Sequence, residues 1–98
     1  MPTELKRHIQ TIHSHFDQLE EDYHVKKIGF FGSVVRGKAT PNSDLDVVVE
    51  FDEPVGFFKF IELEDFLTRL LKRRVDLVTK KALKPTVKKF ILSDVVYA

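Results

Sequence analysis

Three aspartates and one glycine-serine pair are the residues of this chain best suited to chemistry. Asp44 and Asp46 stand two apart in "SDLD", directly ahead of the aliphatic run Val47, Val48 and Val49. On a strand, residues i and i+2 share a face, so the two carboxylates sit side by side at the mouth of a buried strand. Two such charges repel by roughly 4 kcal/mol at about 4 Å and an effective dielectric near 20. A bridging cation offsets that cost, and a ligand set of oxygens alone suits Mg²⁺ or Mn²⁺. Taken alone, "SDLD" also describes a common solvated strand end. Asp76 lies inside "RVDLV", a strand pattern with apolar neighbours. Aspartate is disfavoured in a strand interior, so it needs a partner: Arg73 or Arg74, or a metal shared with Asp44 and Asp46. Sharing requires the two strands to be neighbours.

Gly32 and Ser33 directly follow the apolar stretch "VKKIGFF". A strand that runs into a helical turn offers free backbone N–H groups and a positive dipole end to an anion. Gly32 lets a phosphate approach the backbone closely, and the Ser33 hydroxyl can donate as well. An ordinary serine-capped turn has the same composition. From Gly32 the chain almost spells a P-loop, because Gly32, Gly37 and Lys38 satisfy G-x-x-x-x-G-K. The next position is Ala39, which cannot ligate a metal, and Pro41 stops the long helix that a P-loop requires. The P-loop reading therefore fails.

The elements that must position these groups are readable from periodicity. Leu5, Ile9, Ile12, Phe16 and Leu19 recur at helical spacing, which predicts a helix over residues 3–22 with Thr3 as N-cap. Residues 25–31, 45–51 and 74–79 read as strands, residues 57–72 as a second amphipathic helix and residues 85–93 as a last helix opened by Pro85. "GSVVRG" has room for about one helical turn before Gly37 ends it, and "KATPNS" is a loop. The tail "VVYA" has no assignment. The order predicts an α/β (α+β) fold: a small mixed sheet of about three to four strands with packed helices, in one domain over residues 1–98.

Bulk properties narrow the function classes. A chain of 98 residues, 43% hydrophobic and 32% charged, reads as one soluble globular domain. A formal charge of +1 gives no global case for nucleic acid or an anionic membrane. The charge is nevertheless uneven, with eight Lys or Arg from Lys72 onward against Asp76 and Asp94. With no cysteine, disulfides and thiolate metal sites are excluded. The start has no apolar signal region, and no apolar run approaches the roughly 18 residues of a membrane span. The expected location is cytoplasmic.

Gly32-Ser33, ten residues, then Asp44-Leu45-Asp46 matches G-S-x10-D-x-D. This spacing resembles the signature of the DNA polymerase β-like nucleotidyltransferase superfamily. The longer string "GSVVRGKATPNSDLDVVVEF" is similar to the minimal nucleotidyltransferase (MNT) proteins, and the resemblance runs from "IGFF" to the end of the chain. It implies a nucleotidyltransferase-like fold, with Gly32 and Ser33 on the nucleotide's terminal phosphates. It implies that Asp44 and Asp46, with Asp76 as third acidic residue, hold two Mg²⁺ or Mn²⁺ ions and carry the catalysis. Arg36 and Lys38 fall where the family often has basic residues near the phosphates; they read equally well as solvated charges. The implied activity is two-metal transfer of AMP from ATP to a tyrosine hydroxyl of a HEPN-domain RNase toxin, with this chain as the antitoxin. Two alternatives stay open: an antitoxin that only binds its toxin, and a nucleotidyltransferase acting on a small molecule. The second has little room for an acceptor domain.

Other features support plainer readings. His8, His13 and His15 lack a third ligand on a common helix face and read as surface histidines. The basic stretch Lys80–Lys89 lacks the interleaved aromatics of a nucleic-acid platform, so it reads as a solvated face. Phe57 and Phe58 are adjacent in "VGFFKF". Either one packs beneath a loop, or both present an apolar patch to a partner.

Overall fold

The structure, a computed structural model, describes residues 1–98. Two helices, α1 (Thr3–Ser14) and α2 (Phe16–Tyr23), lead into strand β1 (Val25–Phe31). A short 3-10 turn (Gly32–Val34) and a loop connect to β2 (Leu45–Phe51), then α3 (Phe57–Leu71) and β3 (Val75–Thr79). A second 3-10 turn (Lys80–Ala82), α4 (Pro85–Asp94) and a two-residue β4 (Val96–Tyr97) complete the chain. The four strands form one sheet in the order β3-β2-β1-β4. β1 pairs antiparallel with both β2 and β4, whereas β2 and β3 run parallel. Parallel neighbours need a crossover, and α3 supplies it. No helix is long and apolar enough to cross a membrane.

The expected helix over residues 3–22 is in fact two, broken at His15. There the His15 ring Nδ1 lies 2.9 Å from the Thr11 carbonyl, and the His15 backbone N–H turns back to Ile12 O. Thr3 is the first helical residue rather than the cap; Pro2 holds the cap position without a side-chain bond. The unassigned tail is β4, an edge strand.

Strand alternation gives the sheet two unlike faces. Leu45, Val47 and Val49 of β2 join Ile28 and Phe30 of β1 and Val75 and Leu77 of β3 in the core. They pack against Leu5, Ile12 and Leu19 of the N-terminal helices and Leu63 and Leu67 of α3. By period two, the opposite face carries Asp46, Val48 and Glu50 from β2, Asp76 and Val78 from β3, and Gly29 and Phe31 from β1. α4 and the tail cross this second face over β1: a Cβ on Gly29 would overlap Val95 Cγ1 at 2.7 Å. The free edge of β3 is closed by α3, because the Leu77 N–H donates to Glu64 Oε2 (2.9 Å) and the Val75 N–H to Thr68 Oγ1 (3.2 Å). That blunts an otherwise sticky edge.

His8 differs from its sequence reading. It is 2% exposed and not a surface histidine. Its ring stacks on Phe30 with centroids 6.0 Å apart, and its Nε2 lies 2.9 Å from Glu4 Oε2. The spacing Leu5, His8, Ile12 places it on the helix's inner stripe, and the carboxylate satisfies its buried nitrogen.

Candidate functional site

The second face of the sheet gathers the three aspartates at one end. In the parallel pair β2/β3, Asp46 stands directly opposite Asp76, and on the other side Asp46 faces Phe31, the last residue of β1. Asp44 lies one residue ahead of β2, at the end of the loop. Burial raises the Asp46 carboxyl above its ordinary value, and the charges of Asp76 and Asp44 push it further; Arg36 alone works in the opposite direction. Asp46 therefore feels both of the other aspartates.

Gly32 begins the turn that ends β1, and its backbone has a positive φ of 75°. A Cβ there would collide with Asp46 Oδ2. The glycine is thus required twice, for a left-handed backbone and to let the carboxylate lie against the turn. The turn's own hydrogen bonds begin with the Val35 N–H to Gly32 O (3.1 Å). Its earlier amides precede any in-turn acceptor, the arrangement that suits an anion. The Ser33 carbonyl accepts from the Lys38 N–H at 2.9 Å, which folds the loop back on itself.

The two basic candidates part company. Arg36 Nη1 donates to Asp94 Oδ2 at 3.0 Å, tying this loop to the end of α4 while its charge still reaches Asp46. The Lys38 side chain is exposed and makes no ion pair. Neither arginine offered as a partner for Asp76 takes that role. Arg74 lies 3.8 Å from Asp44. Arg73 donates to Glu4 Oε2, to Thr40 O (2.9 Å) and to Ser43 O (2.7 Å). Sequence reasoning offered Arg73 to Asp76 and missed its actual role: it pins the loop that delivers Asp44. Its only signal was an arginine just after a helix end, where a dipole role is the default.

The opposite end of β2 holds a second polar cluster. β1 and β2 are antiparallel, with Val25 opposite Phe51. His24, before β1, therefore meets Asp52 and Glu53, after β2. The His24 Nδ1 lies 3.8 Å from Asp52 Oδ1, and its Nε2 lies 3.2 Å from Glu53 Oε1. The three ligand atoms fall within 4.8 Å of one another, so this trio is a candidate metal-binding group, and it is exposed. Sequence reasoning missed it because 28 residues separate His24 from Asp52; the hairpin register was the signal that could have joined them.

An all-oxygen set of three aspartates, one partly buried and raised by its neighbours, fits a hard divalent cation. Next to it, a glycine turn whose first amides precede its own acceptors fits phosphate oxygens. Known proteins resemble this chain over most of its length. Residues 12–98 match the family described as nucleotidyltransferase domain. The chain is 49% identical over 84 residues to Protein adenylyltransferase MntA of Thermococcus cleftensis, spanning 86% of this chain and 85% of that one. A solved structure provisionally described as a minimal nucleotidyltransferase superposes with a TM-score of 0.73 at 30% identity, over 90% of this chain and 93% of that one. The fold also matches a chain from the complex of tri-AMPylated Shewanella oneidensis HEPN toxin with MNT antitoxin, with a TM-score of 0.66 at 18% identity over 92% of this chain and 70% of that one. With the family match running over residues 12–98 and a relative this similar across most of both chains, the protein belongs to the nucleotidyltransferase domain family as a minimal, MNT-type member.

Proposed function

We propose that this chain acts as one minimal nucleotidyltransferase domain that transfers AMP from ATP to a tyrosine hydroxyl of a HEPN-domain toxin, and that it thereby serves as the antitoxin. The observation that carries the reading is the register of Asp46 with Asp76, with Asp44 beside them and the Gly32 turn against Asp46. The Thermococcus relative is named a protein adenylyltransferase, and the Shewanella complex pairs an MNT antitoxin with an AMPylated HEPN toxin. Both support the choice of AMP and of a protein acceptor.

In this reading Gly32 and Ser33 hold the terminal phosphates, with Arg36 and Lys38 lending positive charge at the loop. Asp44, Asp46 and Asp76 would hold Mg²⁺, which would supply charge neutralisation at the phosphates and activation of the attacking hydroxyl. The tyrosine oxygen forms a bond to the α-phosphorus. The bond from that phosphorus to the β-phosphate bridging oxygen breaks, and pyrophosphate leaves. Asp76, exposed on the open face, takes the tyrosine proton. Arg73 keeps the Asp44 loop in place through two carbonyls and Glu4, so its part is positioning.

Neutralisation by binding alone is the second reading, and a surface feature gives it a docking face. Phe57 and Phe58 are 73% and 80% exposed, and their rings pack edge to face 5.8 Å apart. Such a patch suits docking with or without chemistry. The test is intact-mass spectrometry of the cognate HEPN protein after incubation with ATP and Mg²⁺, read beside its RNase activity. Catalytic neutralisation gives an AMP-sized adduct and a silent toxin with wild type, and neither with Asp44→Asn/Asp46→Asn. Equal neutralisation by both proteins with no adduct establishes the binding-only antitoxin.

A further inference from the structure

Away from the aspartates, at the far end of β2, the structure holds a cavity of about 810 Å³. That is within the usual range for a small-molecule site. Beside Asp52 and Glu53, which are engaged by His24, its walls combine three kinds of group. Phe57, Phe60 and Val55 give an apolar side. Lys81 and Lys88 stand at its border, and neither is paired with a carboxylate. Glu50 lies between, and its Oε2 is buried without any hydrogen-bond partner. The nearest cation to that oxygen, Lys80 Nζ, is 3.8 Å away, too far for a hydrogen bond.

A buried carboxylate oxygen without a donor is costly unless a ligand supplies one. Two unpaired lysines call for an anion, and an open aromatic wall calls for a flat apolar body. A purine mononucleotide offers all three: amino hydrogens on its base, a planar ring and a phosphate. We propose that this cavity is a second nucleotide site, distinct from the Gly32 turn, that binds a purine mononucleotide such as AMP. The base lies against Phe57 and donates to Glu50, and the phosphate meets Lys81 and Lys88. Glu50 is four residues beyond Asp46 on the same face of β2, which places the two about 13 Å apart. The inference stands on this cavity's own residues and does not need the transfer reaction.

The experiment is a titration of the full chain with AMP in the absence of divalent metal, followed by amide resonances in ¹⁵N-labelled protein. Saturable shifts at Val55, Phe57, Lys81 and Lys88, with Gly32 and Ser33 unmoved, are expected. Glu50→Met and Lys81→Ala/Lys88→Ala should each weaken AMP at least about tenfold, the scale of losing one charge-assisted contact. Their melting temperatures report that the fold is intact, and the exposed lysines provide the variant least able to disturb it. Shifts confined to Gly32 and Ser33, shifts spanning both ends at one affinity, absence of binding, or unchanged affinity in both variants would each overturn the second site. Loss of AMP transfer with cavity binding intact, or the reverse, tells failure of the transfer reading from failure of this one.

Discussion

The two ends of β2 carry similar numbers of carboxylates and treat them in opposite ways. At the far end, Asp52 and Glu53 flank the His24 ring, and Glu50 has Lys80 at 3.8 Å. At the near end, Asp44, Asp46 and Asp76 face one another, and the only cationic contact is Arg74 at 3.8 Å from Asp44. Arg73, the arginine best placed to help, is committed to Glu4 and two loop carbonyls. Sequence and fold thus hold three negative charges together and direct the neighbouring guanidinium elsewhere. Such an arrangement costs stability in the isolated chain, and the cost makes sense where a cation is to be bound. The lesson is that charge balance, more than the number of acidic groups, separates the cation-binding end of β2 from the other.

The largest effect that sharpens this contrast is on transfer itself. Asp44→Asn/Asp46→Asn removes the ion-binding charge, and AMP transfer should fall by about a thousandfold or more. The same variant should lose the rise in melting temperature that Mg²⁺ gives the wild type through binding only the native state. Asp52→Asn at the other end should keep that rise. Calorimetric scans with and without Mg²⁺ compare the two, and a lost Mg²⁺ response in Asp52→Asn would break the distinction.

Next is the loop anchor. Arg73→Gln leaves Glu4 and two carbonyls short of donors, and urea titration should show a loss of about 2–3 kcal/mol. An unchanged midpoint would mean that the Asp44 loop holds itself.

The glycines give a smaller, cleaner pair. Gly32→Ala forces a Cβ onto Asp46 at a positive φ and should cost about 1–2 kcal/mol. It should also weaken ATP. At Gly56 an added Cβ meets nothing within 4 Å, so Gly56→Ala should change stability by under about 0.5 kcal/mol. Equal costs at both glycines would remove Gly32's claim to a built turn.

The smallest effects have opposite pH signs. Burial raises the Asp46 carboxyl, and Asp76 and Asp44 raise it further. Its ionisation therefore works against the fold. The relative stability present below its unfolded pKa is lost as pH rises through its folded one. Without metal, Asp46→Asn should be the more stable protein at pH 7, by about 1 kcal/mol or less once solvent screening is counted, and the gap should close in acid. At Glu4, burial acts upward, but the hydrogen bond with His8 and the charge of Arg73 outweigh it and hold the carboxyl below its usual range. Its stabilisation is present above the unfolded pKa and fades as pH falls through the folded value. Glu4→Gln should therefore be less stable than wild type at pH 7, with the difference shrinking in acid. Urea midpoints at pH 7 and pH 3 check both signs.

Much of this was legible in the sequence, for identifiable reasons. β2 is read from "LDVVVEF" because valine repeats suit a strand buried on both faces, and its meeting with β3 follows once α3 is recognised as a crossover. Asp44, Asp46 and the Gly32 turn were visible because their spacing is local, whereas Asp76 was visible only as an aspartate inside an apolar strand pattern. What escaped depends on contacts far apart in the chain. His8 looked like a surface residue because its stacking partner, the Phe30 ring, meets it only once α1 packs on the sheet; Glu4, one helical turn away, was the local signal. Arg73 and the His24 cluster needed the loop and hairpin registers. The break at His15 has no proline or glycine to announce it. β4 is two residues long and gains its strand character only by pairing with β1.

The claim at the centre of this account is that the near end of β2 transfers the adenylyl group of ATP. The most direct measurement uses ATP labelled at either the α- or the γ-phosphate, incubated with Mg²⁺, the cognate HEPN protein and this chain. The account predicts label on the HEPN protein from α-labelled ATP only, lost in Asp44→Asn/Asp46→Asn. Label arriving from the γ-phosphate, equal α-labelling by the double variant, or a neutralised toxin that carries no label would contradict it.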